Sequence, residues 1–198
     1  DRVLEFCELI ENLNLEWYCV NGLRADLFDE DMAKAMKKSG CKFVGFGIES
    51  TDPEVLKKIK KGETPEQIEN AIDIAKKYFK KVNGFFIIGL PGSTYEKDLE
   101  SLKWAIKKGI NAHFSYYVPF DKQMYFDAIF YGEKAEPISE EYPKELQKKI
   151  YELTKYMRPG KINVLIRIIF KILHKFKILF FLYCYLKVGT NSHFLLCY

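Results

Sequence analysis

Val3, Leu4, Cys7, Ile10 and Leu13 fall three and four residues apart, so residues 1–13 are predicted to form an amphipathic helix. It opens without an N-cap of its own and reads as cut from a longer element. The apolar run Leu15 to Val20 predicts a strand, with Asn21-Gly22 and Leu23-Arg24-Ala25-Asp26 as the loop behind it. Acids at its start and Gly40 past its end bracket a helix over Asp29 to Ser39. The same order then repeats. Phe43 to Ile48 is a strand, and Thr51-Asp52-Pro53 starts a short helix that ends at Ile59. Thr64, with Pro65 next and Gln67 three residues on, makes a capping box. The helix it opens places Ile68, Ala71, Ile72 and Ala75 on one face and runs to about Lys80. Val82 to Ile88 is the third strand. Ser93 or Thr94 caps a helix that turns Leu99, Leu102, Ala105 and Ile106 inward and stops at Gly109, and Ala112 to Val118 is the fourth strand.

Strands alternating with helices at intervals of roughly 25 to 40 residues predict an α/β fold with a parallel sheet and right-handed crossovers. Runs as continuously apolar as Phe43 to Ile48 suit strands covered on both faces. Beyond Pro119 the repeat gives way to an irregular stretch, Asp121 to Pro143, and then to a helix from Lys144 to Tyr156. Arg158-Pro159-Gly160 stops that helix, and a very apolar one follows from Ile162 to about Leu186. Its longest charge-free run, Ile178 to Leu186, is nine residues, against the roughly 20 that a membrane span requires. Arg167, Lys171, His174 and Lys175 share one side of it, so two readings stand: a helix packed on the sheet, or contact with a membrane surface through residues 162–186.

With 198 residues, 48% of them hydrophobic, the chain can bury one sizeable core. The net charge of +4 is uneven: residues 144–187 hold 11 Lys and Arg against Glu145 and Glu152. Cys7, Cys19, Cys41, Cys184 and Cys197 include no Cys-x-x-Cys and form no metal-ligand spacing with histidine. They read as reduced thiols in a cytoplasmic protein, and residues 1–13 lack the basic start and cleavage site of a signal peptide. Nothing in the pattern indicates nucleic acid as a partner.

Three charges, Arg24, Glu49 and Lys61, fall in turns just past predicted strand ends, where α/β folds bind their ligands. Two cations and an anion on one rim suit a zwitterion, although any one of them taken singly reads as a solvated loop residue. Gly89-Leu90-Pro91-Gly92 follows the third strand without a side-chain donor. It is either a tight turn or a place where main-chain groups meet a flat ring such as adenine.

These residues in this order carry a resemblance. Trp17 with Arg24 and Asp26, Ser39-Gly40-Cys41, Gly47-Ile48-Glu49-Ser50, Val55-Leu56 with Lys61 and Thr64, and Ile88-Gly89-Leu90-Pro91-Gly92 with Thr94 are similar to the radical SAM superfamily. The likeness is greatest to its cobalamin-dependent and anaerobic-cyclase-type members. It spans residues 1 to about 119, and Tyr156, Arg158 and Pro159 resemble that group's C-terminal region.

The resemblance implies part of a (βα)6 TIM-type barrel, with residues 1–120 as its strands three to six and residues 121–198 as an irregular connection and helical extension. It implies a site for S-adenosylmethionine, with a 4Fe-4S cluster as the electron source for reductive cleavage and cobalamin as a further cofactor some members use. By similarity Glu49 and Ser50 meet the ribose or methionyl part, Arg24 and Lys61 the carboxylate side, and Ile88, Gly89, Leu90 and Pro91 the adenine. The chain departs from the family in lacking the C-x3-C-x2-C cluster loop and the Gly-Gly-Glu-like motif, so no residue here is expected to be catalytic or a metal ligand. The Gly-x-Ile-x-Gly-x-x-Glu pattern appears as Phe85-x-Ile87-x-Gly89-x-x-Gly92, and Pro119-Phe120-Asp121-Lys122-Gln123 stands where relatives show Pro-x-Pro-Gly-Thr. The expectation is a portion of a radical SAM enzyme, inactive alone, whose longer form meets a small-molecule substrate and a reductant protein. The rival is a non-catalytic α/β binding module with a membrane-surface tail. A phosphate-binding barrel enzyme is disfavoured, because no Gly-rich loop precedes Lys-Ser or Lys-Thr.

Overall fold

The computed structural model describes residues 2–117 and 142–155. The elements are α1 (Arg2–Ile10), β1 (Trp17–Leu23), α2 (Glu30–Lys38), β2 (Cys41–Glu49), α3 (Pro53–Lys58), α4 (Pro65–Tyr78), β3 (Lys81–Ile88), α5 (Tyr95–Lys108), β4 (Asn111–Tyr116) and α6 (Lys144–Lys155). Short 3-10 turns cover Glu11–Leu13 and Ala25–Leu27. The four strands pair in parallel in the order β1-β2-β3-β4, the arrangement that successive βα units of one hand produce.

Helix starts follow local chemistry. Asp29 accepts from the Met32 amide and Asp52 from the Val55 amide, at 2.8 and 2.9 Å. Thr64 and Gln67 exchange both bonds of the capping box. At α5 the cap is Thr94, which leaves Ser93 for another role.

β1 is longer than the apolar run suggests, reaching Leu23 through Asn21-Gly22. The glycine serves close approach rather than a turn: a Cβ on Gly22 would stand 2.7 Å from the Gly47 nitrogen of β2. At the other end the Trp17 indole donates to the Ser39 carbonyl at 3.1 Å. Gly40, at φ 96°, passes so near Leu15 that a Cβ there would sit 1.9 Å from its carbonyl oxygen.

Val44, Phe46 and Ile48 of β2 are fully buried, and the strand is covered on both faces from Val44 to Ile48. β3 and β4 instead bury alternate residues, Val82, Phe86 and Ile88 in one and Ala112, Phe114 and Tyr116 in the other. Ile68, Ala71, Ile72 and Ala75 of α4 fill the core as their spacing predicts, and Phe86 stacks on Phe114 with ring centres 4.6 Å apart. α6 packs against α5, β3 and β4, with Ile150 buried and Tyr151 4.9 Å from Tyr116.

α6 belongs to the same compact unit as the sheet. The expected junction near residue 120, the irregular stretch up to residue 141, Cys184, Cys197 and the apolar helix from Ile162 all lie outside the described residues. Among those described, no helix is long and apolar enough to cross a membrane.

Candidate ligand site at the strand ends

Arg24 follows β1 directly, Glu49 is the last residue of β2, and Gly89 follows Ile88, the last residue of β3. In a parallel sheet these positions share one rim, as expected from the sequence. The Glu49 backbone is at φ 63°, and the Ser50 amide bonds back to the Ile48 carbonyl at 2.8 Å. Glu49 is therefore the centre of a three-residue turn in a conformation that costs energy for any residue with a side chain.

Lys61 reaches the rim through the end of α3. The Lys60 amide bonds to the Lys57 carbonyl and the Lys61 amide to the Leu56 carbonyl, with Lys60 left-handed at φ 55°. This is a Schellman ending. It reverses the chain, bringing Lys61 to Glu49 of β2 and Glu63 beside Arg24.

Five charges meet there. Arg24 holds Asp26 in a two-point pair at 2.9 and 2.8 Å, with its Nε also 3.8 Å from Glu63. Lys61 Nζ stands 3.6 Å from Glu49 and 3.9 Å from Glu63. Glu63 is buried, and neither of its carboxylate oxygens has a donor at full hydrogen-bonding geometry. Burial pushes its carboxyl above the usual range against the pull of Lys61, Asp26 adds to the rise, and the nearby Ala25 amide pulls it down. Glu49 is raised for the same first reason and is likewise drawn back by Lys61. Asp26 is lowered by its hydrogen bond from Arg24. Gly47 keeps the space over the pair open, because a Cβ there would lie 3.0 Å from Glu49 Oε1 and 3.2 Å from Lys61 Nζ.

The sequence-predicted residues fall into two groups. Arg24, Glu49 and Lys61 share the charge cluster. Ser50, beside Glu49, is buried, and its hydroxyl accepts from the Asp52 amide at 3.2 Å. Ile88, Gly89, Leu90 and Pro91 form the second group, at the end of β3. The Ile88 carbonyl accepts from the Tyr117 amide, and the Leu90 carbonyl from the Ser93 amide. Pro91 and Gly92, the latter at φ 82°, occupy the middle of that turn. Lys97 ties the groups together, pairing with Asp52 at 3.1 Å and donating to the Gly92 carbonyl at 3.2 Å.

Glu63, Asp98 and Tyr142 were missed in the sequence reading. Glu63 looks like one more solvated charge after Lys-Lys-Gly. Asp98 looks like an acid favoured by a helix start, yet it is buried. Nothing in the irregular stretch singles out Tyr142.

A parallel βα sheet with charges and a glycine turn gathered past its strand ends is the ligand-binding end of an α/β barrel-type fold. The family model described as the radical SAM superfamily matches residues 4–105, and the chain belongs to that superfamily. It is 41% identical over 111 residues to an uncharacterized methyltransferase of Pyrococcus horikoshii, covering 56% of this chain and 24% of that protein. It is 31% identical over 119 residues to the cytidylyl-2-hydroxyethylphosphonate methyltransferase of Streptomyces wedmorensis, covering 57% and 22%. The chain thus spans about a quarter or less of these relatives. Among solved structures, the coproporphyrinogen III oxidase of Escherichia coli superposes with a TM-score of 0.56 at 18% identity, covering 78% of this chain and 36% of that one. Methylornithine synthase superposes at 0.53 and 16%, covering 78% and 43%. Both show the fold: a part of a TIM-type barrel.

The superfamily implies S-adenosylmethionine and a 4Fe-4S cluster as cofactors. The charge cluster, the cleared space at Gly47 and the glycine turn fit the first. The described thiols do not fit the second. Cys41 starts β2 at the end opposite the rim, Cys19 lies within β1, and Cys7 is buried in α1. Among the described residues no group of three thiol, imidazole or carboxylate side chains could hold a metal.

Proposed function

We propose that this chain supplies part of the S-adenosylmethionine-binding face of a radical SAM enzyme. The carrying observation is the buried Glu63 carboxylate, near the Ala25 amide but with no side-chain donor in hydrogen-bonding reach, within a cluster of three acids and two bases. Its formal charge of −1 complements a ligand with a sulfonium, an ammonium and a carboxylate, which carries one net positive charge. Arg24 and Lys61 face the ligand carboxylate. Glu49 takes the ribose or methionyl donors, with Ser50 fixing the turn that aims it, and Ile88 to Pro91 border the adenine. A 4Fe-4S cluster would supply the electrons for reductive cleavage, and its ligands would come from outside the described residues. A reductant and a small-molecule substrate act on the longer protein. Two relatives named as methyltransferases favour transfer of a methyl-bearing group as the reaction.

Isothermal titration of S-adenosylmethionine into the 198-residue chain tests this reading. Glu49→Gln removes one charge-assisted contact, so binding is expected to weaken by about 10-fold or more. Wild-type chain that takes up no S-adenosylmethionine, or a variant that binds as tightly as wild type, overturns the assignment.

A further inference from the structure

The turn after β3 is intrinsically loose. Gly89 and Gly92 both have positive φ, at 79° and 82°, a region glycine leaves easily. Main-chain recognition of a base requires those groups to be held still before the ligand arrives. The Ser93 amide on the Leu90 carbonyl and Lys97 on the Gly92 carbonyl hold the far side of the turn, and a buried carboxylate holds Gly89. Asp98 is 3% exposed and takes three donors: the Ser93 hydroxyl on Oδ1 at 2.6 Å, the Gly89 amide on Oδ2 at 3.0 Å, and the Tyr142 hydroxyl, also on Oδ2.

Tyr142 comes from 44 residues further along the chain. It stands just ahead of α6 and is itself buried, and its carbonyl accepts from the side chain of Gln147, a fully buried residue of α6, at 2.8 Å. The backbone at Gly89 is thereby connected through Asp98 and Tyr142 to a helix docked by Ile150 and Tyr151.

We propose that Asp98 and Tyr142 are positioning residues that latch the Gly89–Gly92 turn to α6 and preorganise it for an adenine-bearing ligand. The inference rests on the binding-face reading above for the identity of that ligand, but the latch itself rests on the three hydrogen bonds. Tyr142 acts mainly through Asp98, and the Gly89 amide also lies within reach of its hydroxyl. Its hydroxyl fixes the oxygen that the Gly89 amide shares, and without that hydroxyl the carboxylate is free to turn and the amide loses its fixed partner.

The test uses the full chain as wild type, Tyr142→Phe, Asp98→Asn and the double variant. Tyr142→Phe keeps the ring and its packing, so the melting temperature is expected to stay close to wild type. Hydrogen exchange over residues 85–94 is expected to quicken about 10-fold while residues 66–78 stay unchanged, and 5′-methylthioadenosine is expected to bind about 10-fold more weakly. Tyr142→Phe added to Asp98→Asn is expected to change much less than it does alone. Unchanged exchange over 85–94 in Tyr142→Phe, or fully additive effects in the double variant, overturns the latch. Wild-type chain that binds neither 5′-methylthioadenosine nor S-adenosylmethionine overturns the binding-face reading. In that case the exchange comparison alone decides the latch, faster exchange supporting it and unchanged exchange refuting it.

Discussion

Glu63 shows how a single residue can belong to a site without a sequence signal. In the string Lys-Lys-Gly-Glu it reads as a solvated acid, and only the reversal at Lys60 buries it between Lys61 and Arg24. Its raised carboxyl gives a signed prediction. Well below 4.5, the ordinary value, the group is protonated folded and unfolded and contributes nothing. As pH rises from about 4.5 through the raised folded value, the unfolded chain gives up this proton first, so ionisation costs the native state stability. Glu63→Gln removes that cost. Urea unfolding between pH 4.5 and 7 is expected to show the variant gaining on wild type as pH rises; a difference that is flat across the window, or of opposite slope, contradicts the burial described here. Arg24 and Glu49 stand at strand ends as their positions in the βα repeat suggest, whereas Lys61 reaches the same rim only through the end of α3. Asp98 was not legible, since a helix-start acid looks the same whether water or a buried turn receives it.

At the scale of elements, periodicity located every described helix and strand, and its errors have local causes. Asn21-Gly22 is a turn signal, yet the missing Cβ at Gly22 is used for contact with β2, so β1 runs on to Leu23. β1 slips against β2, with Cys19 opposite Val44 but Leu23 opposite Phe46, an irregularity that no composition rule reveals. Among the described residues β1 ends the sheet, and Tyr18 and Val20 stand about half exposed on it, with Leu15 and Leu13 nearby. An apolar strand edge of this kind pairs with other chains. Expressed as 198 residues, the chain is expected to self-associate, and Val20→Lys to shift it toward monomer, as read by sedimentation velocity. A wild-type chain that sediments as a single monomeric species at high concentration contradicts this role for the edge.

Across the described residues, the parallel sheet and the meeting of Arg24, Glu49 and Gly89 on one rim were accessible from pattern alone, because strand, turn and helix recur in one order. The family membership over residues 4–105 agrees with that order. The hold of α6 on the β3 turn was not accessible, since it depends on a contact between residues 44 apart in sequence. In the proposed function, one end of this sheet receives S-adenosylmethionine, with its charged half at Arg24, Glu49 and Lys61 and its base at Gly89 to Pro91. The most direct measurement is a crystal structure of the chain grown with S-adenosylmethionine. The account predicts the ligand beyond the C-terminal ends of β1 to β3, its methionyl group against the charge cluster and its adenine beside the Gly89–Gly92 turn. Ligand bound at the opposite end of the strands, or along the exposed edge of β1, would contradict it.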